Sequence, residues 1–117
     1  MKLIETIDQK YIFRQYFNDM MFTVNENAIN HGFWDGESNK AEKIALMHSE
    51  LSEALEAIRK PKIDEHCPQF KSLEIELADC VIRVMDFAHQ YGLRLPEAIL
   101  AKHEFNKTRP YKHNKAF

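Results

Sequence analysis

Only seven of the 117 positions carry a glycine or a proline: Gly32, Gly36, Pro61, Pro68, Gly92, Pro96 and Pro110. These two residues end regular structure most dependably. The runs between them, 1–31, 37–60 and 69–91, are much longer than a strand. A chain of short strands needs many more turns than this one provides. The expectation is therefore an all-α fold of a few long helices. At 117 residues it is a single domain, residues 1–117, with one core. The hydrophobic share of 44% and eight Phe argue against disorder.

Hydrophobic periodicity places four helices. In the first, about 8–30, Phe13, Phe17, Met20, Met21, Val24 and Ala28 share one side, and Gly32 is a suitable stop. Asn39 caps the second, with Glu42 three residues on in a capping-box pattern, and Lys60-Pro61 ends it near Arg59. Its apolar stripe is Ile44, Met47, Leu51, Ala54, Leu55 and Ile58. The third spans about 69–91 with a main stripe of Phe70, Leu73, Leu77, Val81, Val84 and Ala88. Ile75, Ile82 and Met85 lie elsewhere on the wheel, so this helix is central or covered by another subunit. Pro96 opens the fourth, about 96–107, and a basic tail interleaved with aromatics runs over about 107–117.

Two carboxylate pairs carry the chemistry. Glu50 and Glu53 are three apart on the second helix, and Glu76 and Asp79 repeat the spacing on the third. On the wheel Glu50 borders the apolar stripe and Glu53 lies just beyond. Asp79 sits furthest round, next to Arg83. Alone, either pair is the pattern of a solvated helix face. Facing each other at ~6 Å, each pair of charges repels by about 3 kcal/mol at an effective dielectric of about 20, so the cluster takes up protons or a cation. Oxygen-only ligands suit Mg²⁺, or Mn²⁺ in its place, and Mg²⁺ commonly bridges to substrate phosphates. Lys102 and Asn106 share a face of the last helix and Arg109 follows. They are either phosphate ligands or a solvated end favoured by the helix dipole. Trp34 either stacks on a base or closes over the core, the commoner arrangement. No His-Asp dipeptide, Glu-x-x-His pair, Walker loop or Gly-rich turn occurs.

Glu50-Leu-Ser-Glu53, a 22-residue interval and Glu76-Leu-Ala-Asp79 resemble the ExxE…ExxD signature of MazG-like nucleoside triphosphate pyrophosphohydrolases. The run from Lys43 to Glu50 and the closing Lys102-His-Glu-Phe-Asn106-Lys-Thr-Arg109-Pro-Tyr-Lys112 resemble its small single-domain members. The resemblance covers roughly residues 31–117. It implies a four-helix, bundle-like all-α domain that assembles as a homodimer or homotetramer with its site near subunit interfaces. It also implies Mg²⁺-dependent hydrolysis of an NTP or dNTP to the monophosphate and pyrophosphate. Glu50, Glu53, Glu76 and Asp79 would hold the metal, and Glu50 or Glu53 would act as general base. Lys102, Asn106, Arg109 and Lys112 would bind phosphate, with Lys43 and Trp34 as further substrate contacts.

Two other readings fit the same residues. One is a non-catalytic helical interaction module whose acidic pairs are solvated. The other is a diphosphohydrolase acting on a different pyrophosphate-containing metabolite. The net charge of −2 and the absence of a strongly basic domain argue against stable nucleic-acid binding. No apolar run approaches a membrane span, no signal peptide is evident, and Cys67 and Cys80 form no CxxC pair, so a reduced cytoplasmic setting is expected.

Overall fold

The computed structural model describes residues 4–116; residues 1–3 and 117, the ends of the expected domain, lie outside them. The chain folds into α1 (Ile7–Asn30), α2 (Lys40–Arg59), α3 (Ser72–Gln90) and α4 (Leu95–Lys107), then a turn of 3₁₀ helix at Tyr111–Asn114. The described residues contain no strand, only an isolated bridge between Ile63 and Lys71. The expected all-α class is therefore met. No helix among them is long and apolar enough to cross a membrane. Both cysteines are free thiols.

Side-chain caps set the helix starts. Thr6 Oγ1 accepts from Gln9 N at 3.1 Å, and Gln9 Oε1 accepts in return from Thr6 N at 3.0 Å. The box satisfies two backbone donors that α1 would otherwise leave bare. Asn39 Oδ1 accepts from Glu42 N at 3.2 Å, as its spacing predicts. Gly32 ends α1 at φ +83°, a conformation that side chains with a Cβ rarely adopt, while Phe33 N donates to Ala28 O. α3 starts at Ser72, later than the expected 69. Asp64 Oδ2 gathers His66 N and Cys67 N, Asp64 N donates to Phe70 O, and Ser72 N donates to Lys62 O. Residues 62–71 are thereby held in a turn that periodicity does not reveal.

α3 is central, packed against both α1 and α2, while α4 packs on α1. The face that α2 turns inward keeps only Met47 and Ala54 of its predicted stripe. Ala54 and Ala57 are buried, Lys43 and Met47 are half-buried, and Glu50 is 8% exposed. These five positions, 43, 47, 50, 54 and 57, follow a 4-3-4-3 seam. The predicted stripe residues Ile44, Leu51, Leu55 and Ile58 are exposed instead. Small residues at the seam let the backbones approach, and the larger side chains face outward. Of the stripe predicted for the third helix, Leu77 and Val81 on α3 and Phe70 in the turn before it are likewise exposed, although Ala88 is buried. On α1, Met21 and Val24 are buried but Met20 is exposed.

The chain alone is open. Its radius of gyration is 16.7 Å, against about 13 Å for a compact domain of this length. Its accessible surface is 9272 Å². A folded monomer of this mass exposes about 6,600 Å².

If the Asn39 cap sets the start of α2, Asn39→Ala lowers unfolding free energy by about 1 kcal/mol, whereas Asn39→Asp, which keeps an acceptor, loses little. Urea melts of the two variants check this.

Candidate metal centre and its cavity

A polar line runs down one face of α3: Ser72, Glu76, Asp79, Arg83, Asp86 and Gln90, spaced four and three residues apart. It occupies the positions through which a coiled-coil seam packs apolar side chains. Where it meets the α2 seam, one carboxylate oxygen each from Glu50, Glu76 and Asp79 comes within 4.8 Å of the others. Three of the four expected metal ligands are thus brought together. Glu53, one helical turn along α2, is exposed and stands outside this set, yet it lies against Glu76.

Proximity changes the carboxyl groups. Burial pushes Glu76 up from 4.5 to about 7, helped by a hydrogen bond to Glu53 and by the charges of Glu53, Asp79 and Glu50. Burial also raises Asp79, against the opposing pull of Arg83 and with help from Asp64 and Glu53. Arg83 Nε donates to Glu50 Oε1 at 2.7 Å, so the most buried carboxylate of the set carries its own counter-cation. Octahedral ligands at 2.0–2.1 Å from Mg²⁺ lie about 3 Å apart when adjacent and about 4.2 Å when opposite, so the three carboxylates would have to draw closer by up to about 2 Å to share one hard cation. The donor set fits Mg²⁺ or Mn²⁺.

Beside the carboxylates opens a cavity of about 610 Å³, bordered by Glu50, Asp79 and Arg83 at one side and by Phe33, Trp34 and Phe87 at another. This volume lies within the range of small-molecule pockets. Trp34 Nε1 donates to both oxygens of Asp86, at 3.0 and 3.1 Å, and Asn25 Nδ2 donates to Asp86 Oδ1 at 2.8 Å. The Trp34 ring is therefore a fixed wall, half-buried and tied to α3. Lys43 also lines the cavity; its Nζ donates to Phe33 O at 2.8 Å and sits 4.3 Å from the Trp34 ring centroid.

The remaining expected phosphate ligands lie elsewhere in this chain. Lys102 and Arg109 flank the Phe105 ring on α4 and its end, and Lys112 sits over Tyr111 in the 3₁₀ turn. Asn106 has its Oδ1 buried without a partner. None of the four lines the cavity. Arg83 and Asp86 were not singled out from the sequence as site residues. Their only signal was the 4-3-4-3 recurrence of polar residues on α3, which an apolar wheel passes over.

The raised carboxyls fix a pH dependence. Between pH about 4.5 and about 7 the folded protein holds a proton on Glu76 that the unfolded chain has released. Stability therefore falls as pH rises through that window. Without divalent metal, melting temperature should drop between about pH 4.5 and about pH 7 and level off above. Glu76→Gln should flatten the drop, and millimolar Mg²⁺ should oppose it, most at the alkaline end. Scanning fluorimetry across pH reads all three. Compared with models of protein families, with curated proteins and with solved structures, the chain matches none.

Proposed function

We propose that the protein is a Mg²⁺-dependent nucleoside triphosphate pyrophosphohydrolase of the MazG-like kind. The observation that carries the reading is a set of three convergent carboxylates of which two, Glu50 and Asp79, border a cavity walled by aromatic rings. A hard cation held there would neutralise phosphate oxygens beside a pocket of nucleoside size. Aromatic walls at Phe33, Trp34 and Phe87 suit a base, and the α-phosphate would then lie at the acidic rim.

In this reading Glu50, Glu76 and Asp79 hold the metal. Glu53 takes the proton of the attacking water, because its carboxylate is exposed and stands outside the triad. Glu50 is buried and committed to Arg83. Water adds at the α-phosphorus, the bond to the bridging oxygen breaks, and pyrophosphate leaves. Lys43 and Trp34 shape the nucleoside side. Lys102, Asn106, Arg109 and Lys112 would reach a site from a second copy of the chain.

Assembly is supported by the surface. The excess of roughly 2,700 Å² per chain over a compact monomer, about 5,300 Å² for two chains, is at the upper end of what obligate dimers bury in total. The outward residues Ile44, Leu51, Leu55 and Ile58 supply an apolar strip of α2 for it. The double substitution Leu51→Glu/Leu55→Glu should shift the sedimentation coefficient from that of an oligomer to that of a single chain with unchanged helicity. A wild type that sediments as a single chain refutes the assembly.

A panel of NTPs and dNTPs with Mg²⁺ or Mn²⁺ should yield pyrophosphate and a monophosphate from at least one member. Glu53→Gln and Asp79→Asn should each lower turnover by about 10² or more. Release of orthophosphate instead of pyrophosphate would indicate a different diphosphohydrolase. A folded protein inert across the panel, with no Mg²⁺-dependent gain in melting temperature, would leave the helical interaction module as the surviving reading.

A further inference from the structure

Arg83 is the cation that borders both the acidic set and the cavity. Its Nε is spent on Glu50 Oε1 at 2.7 Å. That is the only hydrogen bond from its side chain among the described residues, so the two terminal nitrogens of the guanidinium keep their donors free. Its side chain is 36% exposed, while that of Glu50 is 11% exposed. The inner nitrogen is therefore anchored at the buried carboxylate, while the side chain as a whole keeps solvent exposure and lines the cavity. The cavity's other cation is engaged differently. Lys43 Nζ is held by Phe33 O and the Trp34 ring.

Resting on the acidic-site reading above, we propose that Arg83 is a phosphate-binding residue of the nucleotide site, its Nε orienting Glu50 and its free fork binding oxygens of the α-phosphate. A planar fork presents two parallel N–H donors to two phosphate oxygens, which an ammonium does not. The same positive charge sits against one of the metal ligands, so it lowers the affinity of the acidic set for a cation in the absence of nucleotide. Arg83 therefore has opposite effects on the two ligands. It opposes the metal alone, and it favours the phosphorylated substrate.

That opposition provides the test. Mn²⁺ alone is titrated into wild type and Arg83→Gln and followed by electron paramagnetic resonance. The α,β-methylene analogues of the nucleotide panel are then titrated in saturating Mn²⁺, read by the emission of Trp34, the chain's single tryptophan and part of the cavity wall. Arg83→Gln should bind Mn²⁺ several-fold more tightly than wild type and bind the analogue about tenfold or more weakly. Arg83→Lys, which keeps the charge but loses the fork, should bind Mn²⁺ as wild type does and the analogue with intermediate affinity. Unchanged analogue affinity in Arg83→Gln overturns the proposal. A parallel loss of both ligands and of melting temperature also overturns it, because that pattern marks a merely structural ion pair. If the wild type itself binds no Mn²⁺, the acidic-site reading fails and this one with it. If it binds Mn²⁺ and only the predicted differences are missing, the Arg83 proposal alone falls.

Discussion

The repulsion among Glu50, Glu76 and Asp79 governs how the rest of this structure is arranged. A helix pair gains most by burying apolar side chains along its seam, yet here the seam of α3 carries carboxylates. Such a contact is tolerable only if the charge is reduced or matched. Both solutions are present at once. Glu76 holds its proton up to about 7, and Glu50 is matched by the Arg83 guanidinium at 2.7 Å. A divalent cation, if it binds as proposed, would take the place of that proton.

The polar seam also dictates the outer surface. With Glu50, Ala54 and Ala57 turned inward, α2 has little apolar bulk left for the chain's own core. Its leucines and isoleucines face away, and among the described residues the buried apolar side chains are few: Met21, Val24, Ala54, Ala57, Ala88 and Pro96. A core this small is weak support for a domain of this length. The open shape, the surplus surface and the acidic seam are one fact seen three ways. Apolar area displaced from the interior needs another surface to cover it.

Much of the fold was legible because it depends on local chemistry. Gly32, Pro61, Gly92 and Pro96 mark helix limits through backbone geometry alone, and Asn39 caps α2 as its spacing predicts. The acidic spacing was legible for the same reason, since positions three apart on a helix must neighbour one another. The inference that the most apolar stripe faces the core held on α2 only for Met47 and Ala54. Ile44, Leu51, Leu55 and Ile58 form a good stripe, but hydropathy cannot say whether it meets its own chain or another. The start of α3 was missed because the Asp64 turn depends on backbone contacts between residues 62 and 72. The distance of Lys102 and Arg109 from the acidic site is a property of how α4 leaves α3 and packs on α1, about which a motif is silent.

One contrast along α3 separates structural carboxylates from chemical ones. Asp79 and Asp86 lie two turns apart on the same polar line, and both border the cavity. Asp86 is met by neutral donors, Trp34 Nε1 and Asn25 Nδ2, which satisfy its oxygens and fix an aromatic wall. Asp79 has no such donors among the described residues and stands beside Glu50 and Glu76; burial, with the charges of Asp64 and Glu53, holds its carboxyl above the usual range against the pull of Arg83. A carboxylate supplied with hydrogen bonds has little to gain from a metal. One crowded by like charges gains both neutralisation and ligation, which is why the proposed cation is assigned to the acidic end of the line rather than to its Asp86 end.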